Sequence, residues 1–246
     1  MPLLRQTDGG ARSARDVVDG LGLTDPRAPG ERPRVVAAMI ASADGRAAVQ
    51  GRSVALGHPD DRALLRELRT AADAILVGSA TLAAERYANL LDPDQRARRA
   101  GQGRPEHPLV VTVSRRLELP LEVGLLHEAG VPVLVFTEAD RPAPQVEADL
   151  EVRRMAPGTL TLRGVLAALG ERAVRGVLCE GGPRLLRRLV AEDGLDDLLL
   201  TVSPLLVAGD APSILEGDEL QPPVRLALRE IHRADDHVFL HYGAGR

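Results

Sequence analysis

Lysine is absent from this chain of 246 residues, so every basic side chain is an arginine. A guanidinium stays protonated and is a poor nucleophile, which excludes Schiff-base chemistry, a pyridoxal-phosphate anchor and the lysine of a Walker phosphate loop. Tryptophan is missing too, and aromatics make up 2% of the chain, too few for a base-stacking platform on single-stranded nucleic acid. The lone cysteine, Cys179, cannot close an internal disulfide, which points to a reducing compartment. No apolar run reaches the roughly 18 residues that cross a bilayer, and the N-terminus lacks an apolar signal core. A net charge of −4 gives no overall attraction to nucleic acid or to an anionic membrane. The expectation is a cytoplasmic protein with neither as a partner.

Several chemical motifs are missing as well. No Gly-x-Gly-x-x-Gly follows a strand pattern, which argues against a standard Rossmann site, and there is no Gly-x-Ser-x-Gly nucleophile elbow. The six histidines show no metal-ligand spacing with Cys179 or with paired carboxylates, so no metal is expected.

What is present is an ordinary globular balance, 44% hydrophobic and 27% charged. At about 150 residues per domain the length allows one large domain or two small ones. Residues 1–33 are punctuated by Asp8-Gly9-Gly10, Asp19-Gly20, Pro26, Pro29-Gly30 and Pro33. They read as an N-terminal extension with one short helical turn near Ala14 to Leu21. A single domain is expected over 34–246. Apolar runs predict strands at Val35–Ala41, Ala74–Val77, Leu109–Val113, Val131–Thr137, Leu150–Arg153, Gly176–Glu180 and Leu198–Val202. Helical spacing predicts helices over Asp60–Ala72, Ala80–Tyr87, Thr159–Arg172 and Pro183–Ala191. The Arg-rich segment Asp92–Pro108 reads as a surface loop, and Val224–Arg229 with Val238–Tyr242 as a closing antiparallel pair. Alternation first and strands last predict an α/β fold with a mixed, mainly parallel sheet and helices on its faces.

Three strand ends carry candidate chemistry. At Glu180-Gly181-Gly182-Pro183 an apolar strand hands over to a helix. The glycines permit close backbone approach, Pro183 suits the first helical position, and free N–H groups there would attract a phosphate. A tight structural turn accounts for the same residues. Val77-Gly78-Ser79-Ala80-Thr81 is a second strand-to-helix corner, where Ser79 fits an N-cap and the Thr81 hydroxyl lies within reach of a phosphate or sugar. Glu85 follows one turn later on the same face. Two such corners in one domain suggest a shared dinucleotide diphosphate site. The third strand end is Ser42-Ala43-Asp44-Gly45-Arg46, a common turn pair whose carboxylate also sits where a proton donor would. Ser53 and Arg69 are candidate substrate contacts. Ser114-Arg115-Arg116 offers hydroxyl and guanidinium to the 2′-phosphate of NADPH, or is a solvated loop.

Taken in order, Ser42 to Arg46, Leu68-Arg69, Asp73 to Thr81, Glu180 to Pro183 and Val202-Ser203-Pro204-Leu205-Leu206 resemble one family, the reductase domain of bacterial riboflavin biosynthesis. The resemblance runs from about Arg34 to Tyr242 and is to the stand-alone pyrimidine-reductase type. It implies a dihydrofolate reductase-like fold with helices on both sheet faces and a C-terminal antiparallel hairpin. It also implies a homodimer and NADPH-dependent reduction of 5-amino-6-(5-phosphoribosylamino)uracil to the ribityl product. A fused deaminase would need a His-x-Glu and Pro-Cys-x-x-Cys zinc signature, which a single cysteine cannot supply.

Carried over by motif, Ser53, Arg69 and Glu180 would contact substrate. The cofactor would be lined by Ile40, Ala41, Gly78, Ser79, Thr81, Glu85, Ser114, Arg115 and the run from Gly181, Gly182, Pro183, Arg184 and Leu185 to Arg188. Asp44, and with it Glu85, would be catalytic, Asp44 by analogy with the single acid of dihydrofolate reductases. Two departures stand out. Glu85 occupies a place where fused enzymes more often carry Asp. Ala88-Asn89-Leu90-Leu91-Asp92 contains no Arg matching the one that helps hold the substrate phosphate. A dihydrofolate or pteridine reductase, or a non-catalytic nucleotide-binding homologue, therefore stays open.

Overall fold

In the computed structural model, residues 3–6, 11–88 and 90–245 are described. Eleven strands form one sheet in the order β2-β1-β10-β11-β9-β3-β8-β4-β5-β6-β7. The strands are β1 (Leu3–Gln6), β2 (Ala11–Ser13), β3 (Arg34–Ser42), β4 (Ala74–Leu76), β5 (Leu109–Val113), β6 (Pro132–Thr137), β7 (Asp149–Arg154), β8 (Gly176–Cys179), β9 (Asp197–Ser203), β10 (Leu226–Ala234) and β11 (His237–Ala244). The seven from β9 to β7 pair in parallel. At β11 the direction reverses, and β11, β10, β1 and β2 continue as an antiparallel margin.

Six helices cover the sheet: α1 (Ala14–Asp19), α2 (Pro59–Ala71), α3 (Ser79–Glu85), α4 (Pro93–Gly101), α5 (Leu162–Glu171) and α6 (Pro183–Ala191). Alternation along each strand divides the core in two. Val36, Ile75 and Leu178 face one way and pack with Val17, Val18, Leu64 and Leu68 of α1 and α2. Val35, Ala37 and Val177 face the other and pack with Leu162, Val165, Leu166, Leu169, Leu185, Leu186 and Leu189 of α5 and α6. Every central strand is thus buried on both faces, which is why it reads as an unbroken apolar run. The architecture is the one the sequence predicts: mainly parallel, helices on both faces, a C-terminal antiparallel hairpin.

Two parts of the chain differ from the reading above. Within 1–33, the helical turn expected near Ala14 is α1; what differs is that it buries Ala14, Val17 and Val18 in the core and that strands β1 and β2 join the antiparallel margin. Ser13 and Asp16 form a capping box that starts α1, satisfying two otherwise orphaned N–H groups. The Asp8-Gly9-Gly10 turn lies outside the described residues. The second difference is α4, inside the segment read as a loop. Asp92 and Gln95 make another capping box, with Pro93 at the first helical position. Asp92 also pairs with Arg66, so its charge is spent on the helix and on a neighbour. Arg99 of α4 is 1% exposed and donates to the carbonyls of Thr70, Ala72 and Pro105. It caps the C-terminal end of α2, a favoured place for a cation. No helix among the described residues is long and apolar enough to cross a membrane.

Candidate active site

A cavity of about 530 Å³ opens at the C-terminal ends of β3 and β8, between α2 and α3. Ala38, Met39, Ile40, Leu64, Leu65, Leu68 and Leu199 give it apolar walls. Its polar groups come from α2, α3, β9, the end of β8 and the loop 49–57, as expected of a site built around the ends of parallel strands.

The base of the cavity is a buried ion pair. Arg69, in the last turn of α2, donates from Nε to Oε1 and from Nη2 to Oε2 of Glu180, each at 2.6 Å. The Glu180 side chain is 4% exposed and that of Arg69 18%. Tyr87 donates its hydroxyl to Oε2 of the same carboxylate, and the Arg69 guanidinium lies over the Tyr87 ring, 5.3 Å from its centroid. Burial, and after it the Glu180 charge, pushes the Tyr87 phenol up, so it remains a donor. Helix α3 puts Tyr87 there. Arg86 turns left-handed at φ 52°, and Tyr87 N–H then donates back to Leu82 O at 3.2 Å, a Schellman-type stop that sends the ring inward. Sequence reasoning missed Tyr87, which carries no formal charge and falls at a predicted helix end.

The two glycine corners lie against each other. Gly78 N–H donates to Gly181 O at 2.9 Å, and Gly182 N–H donates to Thr81 Oγ1 at 2.9 Å. A Cβ on Gly182 would meet Thr81 Oγ1 at 2.6 Å, and Gly181 stands at φ +85°. Glycine is therefore required at both places. These bonds correct the expectation that both bends present free peptide nitrogens to one diphosphate, because the Gly78 and Gly182 donors are spent between the corners. Ser79 is corrected likewise. It is the first residue of α3 after the cap Gly78, and no side-chain cap hydrogen bond is made. What remains open is the start of α6. Pro183 has no N–H, and Leu186 N–H is the first to reach back, to Gly182 O at 2.9 Å. The N–H groups of Arg184 and Leu185 have no intrahelical acceptor.

Glu85 and Ser53 meet. Glu85 Oε1 accepts from Ser53 N–H at 2.8 Å, which fastens the loop 49–57 across the cavity mouth. Ile40, Ser53, Arg69, Thr81, Glu85, Glu180, Gly182 and Pro183 all line the cavity. Ala41 is buried outside that lining, and Arg184 is exposed beside the start of α6.

Asp44 does not line this cavity. Its carboxylate is solvent-exposed and accepts from Ser42 Oγ at 2.6 Å, from Val207 N–H at 3.0 Å and from Ala208 N–H at 2.8 Å. The Ser42 hydroxyl, then the two amides, hold it far below the usual carboxylate range. A carboxylate so held ties one loop to another and cannot supply a proton near neutral pH. Ser114 is also turned to a local task. Its hydroxyl donates to Glu118 O at 3.0 Å and accepts from Glu118 N–H at 2.8 Å, leaving no proton for a phosphate. Arg115 stays exposed, with Glu138 at 4.0 Å. Burial pushes the Cys179 thiol up to about 12, which keeps it inert.

The lining adds groups the sequence did not single out. Asp61 of α2 accepts from Thr201 Oγ1 of β9 at 2.6 Å. A signal was available: Leu64, Leu65 and Leu68 stand at i+3, i+4 and i+7 from Asp61, which places it on the apolar stripe. Arg52, Arg62 and Arg86 also line the cavity, and none forms an ion pair with a described residue.

Comparison with known proteins gives the family of the chain. The family model described as "RibD C-terminal domain" matches residues 33–240. A 2,5-diamino-6-ribosylamino-4(3H)-pyrimidinone 5′-phosphate reductase of Archaeoglobus fulgidus is 28% identical over 200 residues, covering 79% of this chain and 91% of that protein. One of the same name from Methanothermobacter thermautotrophicus is 24% identical over 217 residues, 86% and 98% of the two chains. Among solved structures, a pyrimidine reductase-like protein of Corynebacterium diphtheriae superposes with a TM-score of 0.79 at 24% identity, covering 96% of this chain and all of that one.

Proposed function

The chain belongs to the RibD C-terminal domain family, and on that premise we propose that it is an NADPH-dependent reductase of a phosphoribosylamino-pyrimidine in riboflavin biosynthesis. The observation that carries the reading is the cavity itself. A fixed carboxylate–guanidinium–phenol cluster lies at its base and the open N-terminus of α6 beside it.

The reduction would open the C1′–O4′ bond of the ribose, O4′ taking a proton and C1′ a hydride, with NADPH as the reductant. The chain's own part is positioning. The N–H groups of Arg184 and Leu185, with the exposed guanidinium of Arg184 that has Glu216 at 4.0 Å, suit a diphosphate, which fits a dinucleotide at the start of α6. Exposed Arg115 is the candidate for the 2′-phosphate. Bound there, the coenzyme supplies the hydride. Ile40, Thr81 and Pro183 would hold its nicotinamide end against the substrate. Glu85 acts through Ser53, keeping the mouth loop in place. Arg52, Arg62 and Arg86 supply the positive charge for a 5′-phosphate that residues 88–92 lack.

The sequence resemblance points to the uracil form of the substrate, and the names of the two archaeal relatives point to its 2-amino counterpart. The two forms differ only at ring position C2. The test is NADPH oxidation with each pyrimidine and with dihydrofolate, repeated with NADH. Turnover of a pyrimidine is expected. Turnover of dihydrofolate alone, or tight NADPH binding without any turnover, would replace this reading with the pteridine reductase or the non-catalytic homologue. Equal use of NADH would remove the role given to Arg115. The same reading carries a cytoplasmic homodimer with no nucleic-acid or membrane partner; light scattering in solution tests the dimer.

A further inference from the structure

Glu180 is satisfied by its protein neighbours, but Asp61 is not. Its Oδ1 takes one hydrogen bond, from Thr201, and Oδ2 has no partner among the described residues. The titratable and charged groups that face it are His237 of β11, Arg62 of its own helix and His58 at the start of that helix. None of them stands within ion-pair distance of it. The surrounding wall is apolar, Leu64, Leu65 and Leu199 lying in the same lining. Asp61 is half-buried, and its spare acceptor capacity faces the cavity, where a ligand's donors can use it.

We propose that Asp61 reads the C2 edge of the substrate ring and selects the 2-amino pyrimidinone over the 2-oxo form. The inference deepens the reading given above and rests on it. In the 2-amino ring, the exocyclic NH₂ and the adjacent ring N–H are two donors side by side. They match the two oxygens of a carboxylate, as in a bidentate pair. In the 2-oxo ring a carbonyl oxygen takes the place of the NH₂, so acceptor faces acceptor and one buried group is left unpaired. Thr201 is the positioning residue. By donating to Oδ1 it fixes the plane of the carboxylate and leaves its other lone pairs for the ring.

The experiment is kcat/KM for both pyrimidines with the wild-type chain, Asp61→Asn and Thr201→Val. The wild type is expected to favour the 2-amino form by about 100-fold or more. Asp61→Asn presents an NH₂ to the C2 carbonyl and should bring that ratio below about tenfold, mainly through loss on the 2-amino substrate. Thr201→Val should narrow the ratio in the same direction and less. A carboxylate with a merely structural role would lower both substrates together, so an unchanged ratio in Asp61→Asn overturns the proposal. A wild type that favours the 2-oxo form overturns it as well. If neither pyrimidine is reduced by any variant, the proposed function falls with it, and activity on both with an unmoved ratio removes the role of Asp61 alone.

Discussion

Two of the carboxylates that line the cavity, Glu180 at its base and Asp61 on α2, are treated in opposite ways. Glu180 has both oxygens met by Arg69 and one met again by Tyr87. Asp61 has a single hydroxyl donor, and His237, Arg62 and His58 face it without reaching ion-pair distance. A fully partnered buried charge is an anchor, rigid before any ligand arrives. An under-partnered one stores a cost that binding can relieve. The difference gives a rule for reading such sites: saturation marks the scaffold, and unspent hydrogen-bonding capacity marks the contact.

Breaking the saturated end should have the largest effect. Arg69→Met leaves the Glu180 charge buried without its partner and is expected to cost about 3–5 kcal/mol, seen in urea unfolding, with loss of turnover. Tyr87→Phe removes one hydrogen bond to a charged acceptor, and a loss of about 1.5–3 kcal/mol is expected by the same measurement. Substrate KM should rise with it.

The other end should respond with the opposite sign. Burial raises the Asp61 carboxyl in the folded state. The folded chain therefore binds its proton more tightly than the unfolded one, so this group's favourable contribution is complete at low pH and is lost as pH rises through the folded value. Asp61→Asn keeps the acceptor for Thr201 and removes the charge. It should raise stability at neutral pH by about 0.5–2 kcal/mol, with the gain shrinking in acid. A lower melting temperature at pH 7 would show that the charge is already compensated.

Asp44 supplies the smallest effect and the mirror image in pH. Its carboxyl is held down in the folded state, so the stability it contributes is present above the unfolded value and disappears as pH falls through the folded one. Asp44→Asn should leave turnover at the wild-type level and abolish a small part of the acid dependence of melting. A large loss of turnover would return this residue to the chemistry.

Fold and site were legible in the sequence to different depths. The two-sided apolar strands announce themselves because burial on both faces leaves no alternation to blur them. The corner Glu180-Gly181-Gly182-Pro183 is legible because backbone geometry dictates its glycines. Helix α4 was legible in the Asp92-Pro93-x-Gln95 cap, but its arginines look like solvated loop residues, and nothing local says that Arg99 turns inward to three carbonyls. The pairing of β1 with β10 joins residues more than 200 apart, which no local pattern encodes. Asp44 stood out because an acid at a strand mouth is conspicuous, whereas Asp61 went unremarked because an acid on a helix stripe looks like an exception to periodicity.

The sheet's two rims carry a last consequence. β2, at one rim, is only three residues long, and β7, at the other, bears Asp149, Glu151, Arg153 and Arg154. A brief strand and a charged one make poor templates for another chain, so an eleven-stranded sheet ends without inviting a twelfth. Loss of the first thirteen residues would uncover the nine-residue β10, and self-association through that bared edge is the hazard a shortened chain would meet.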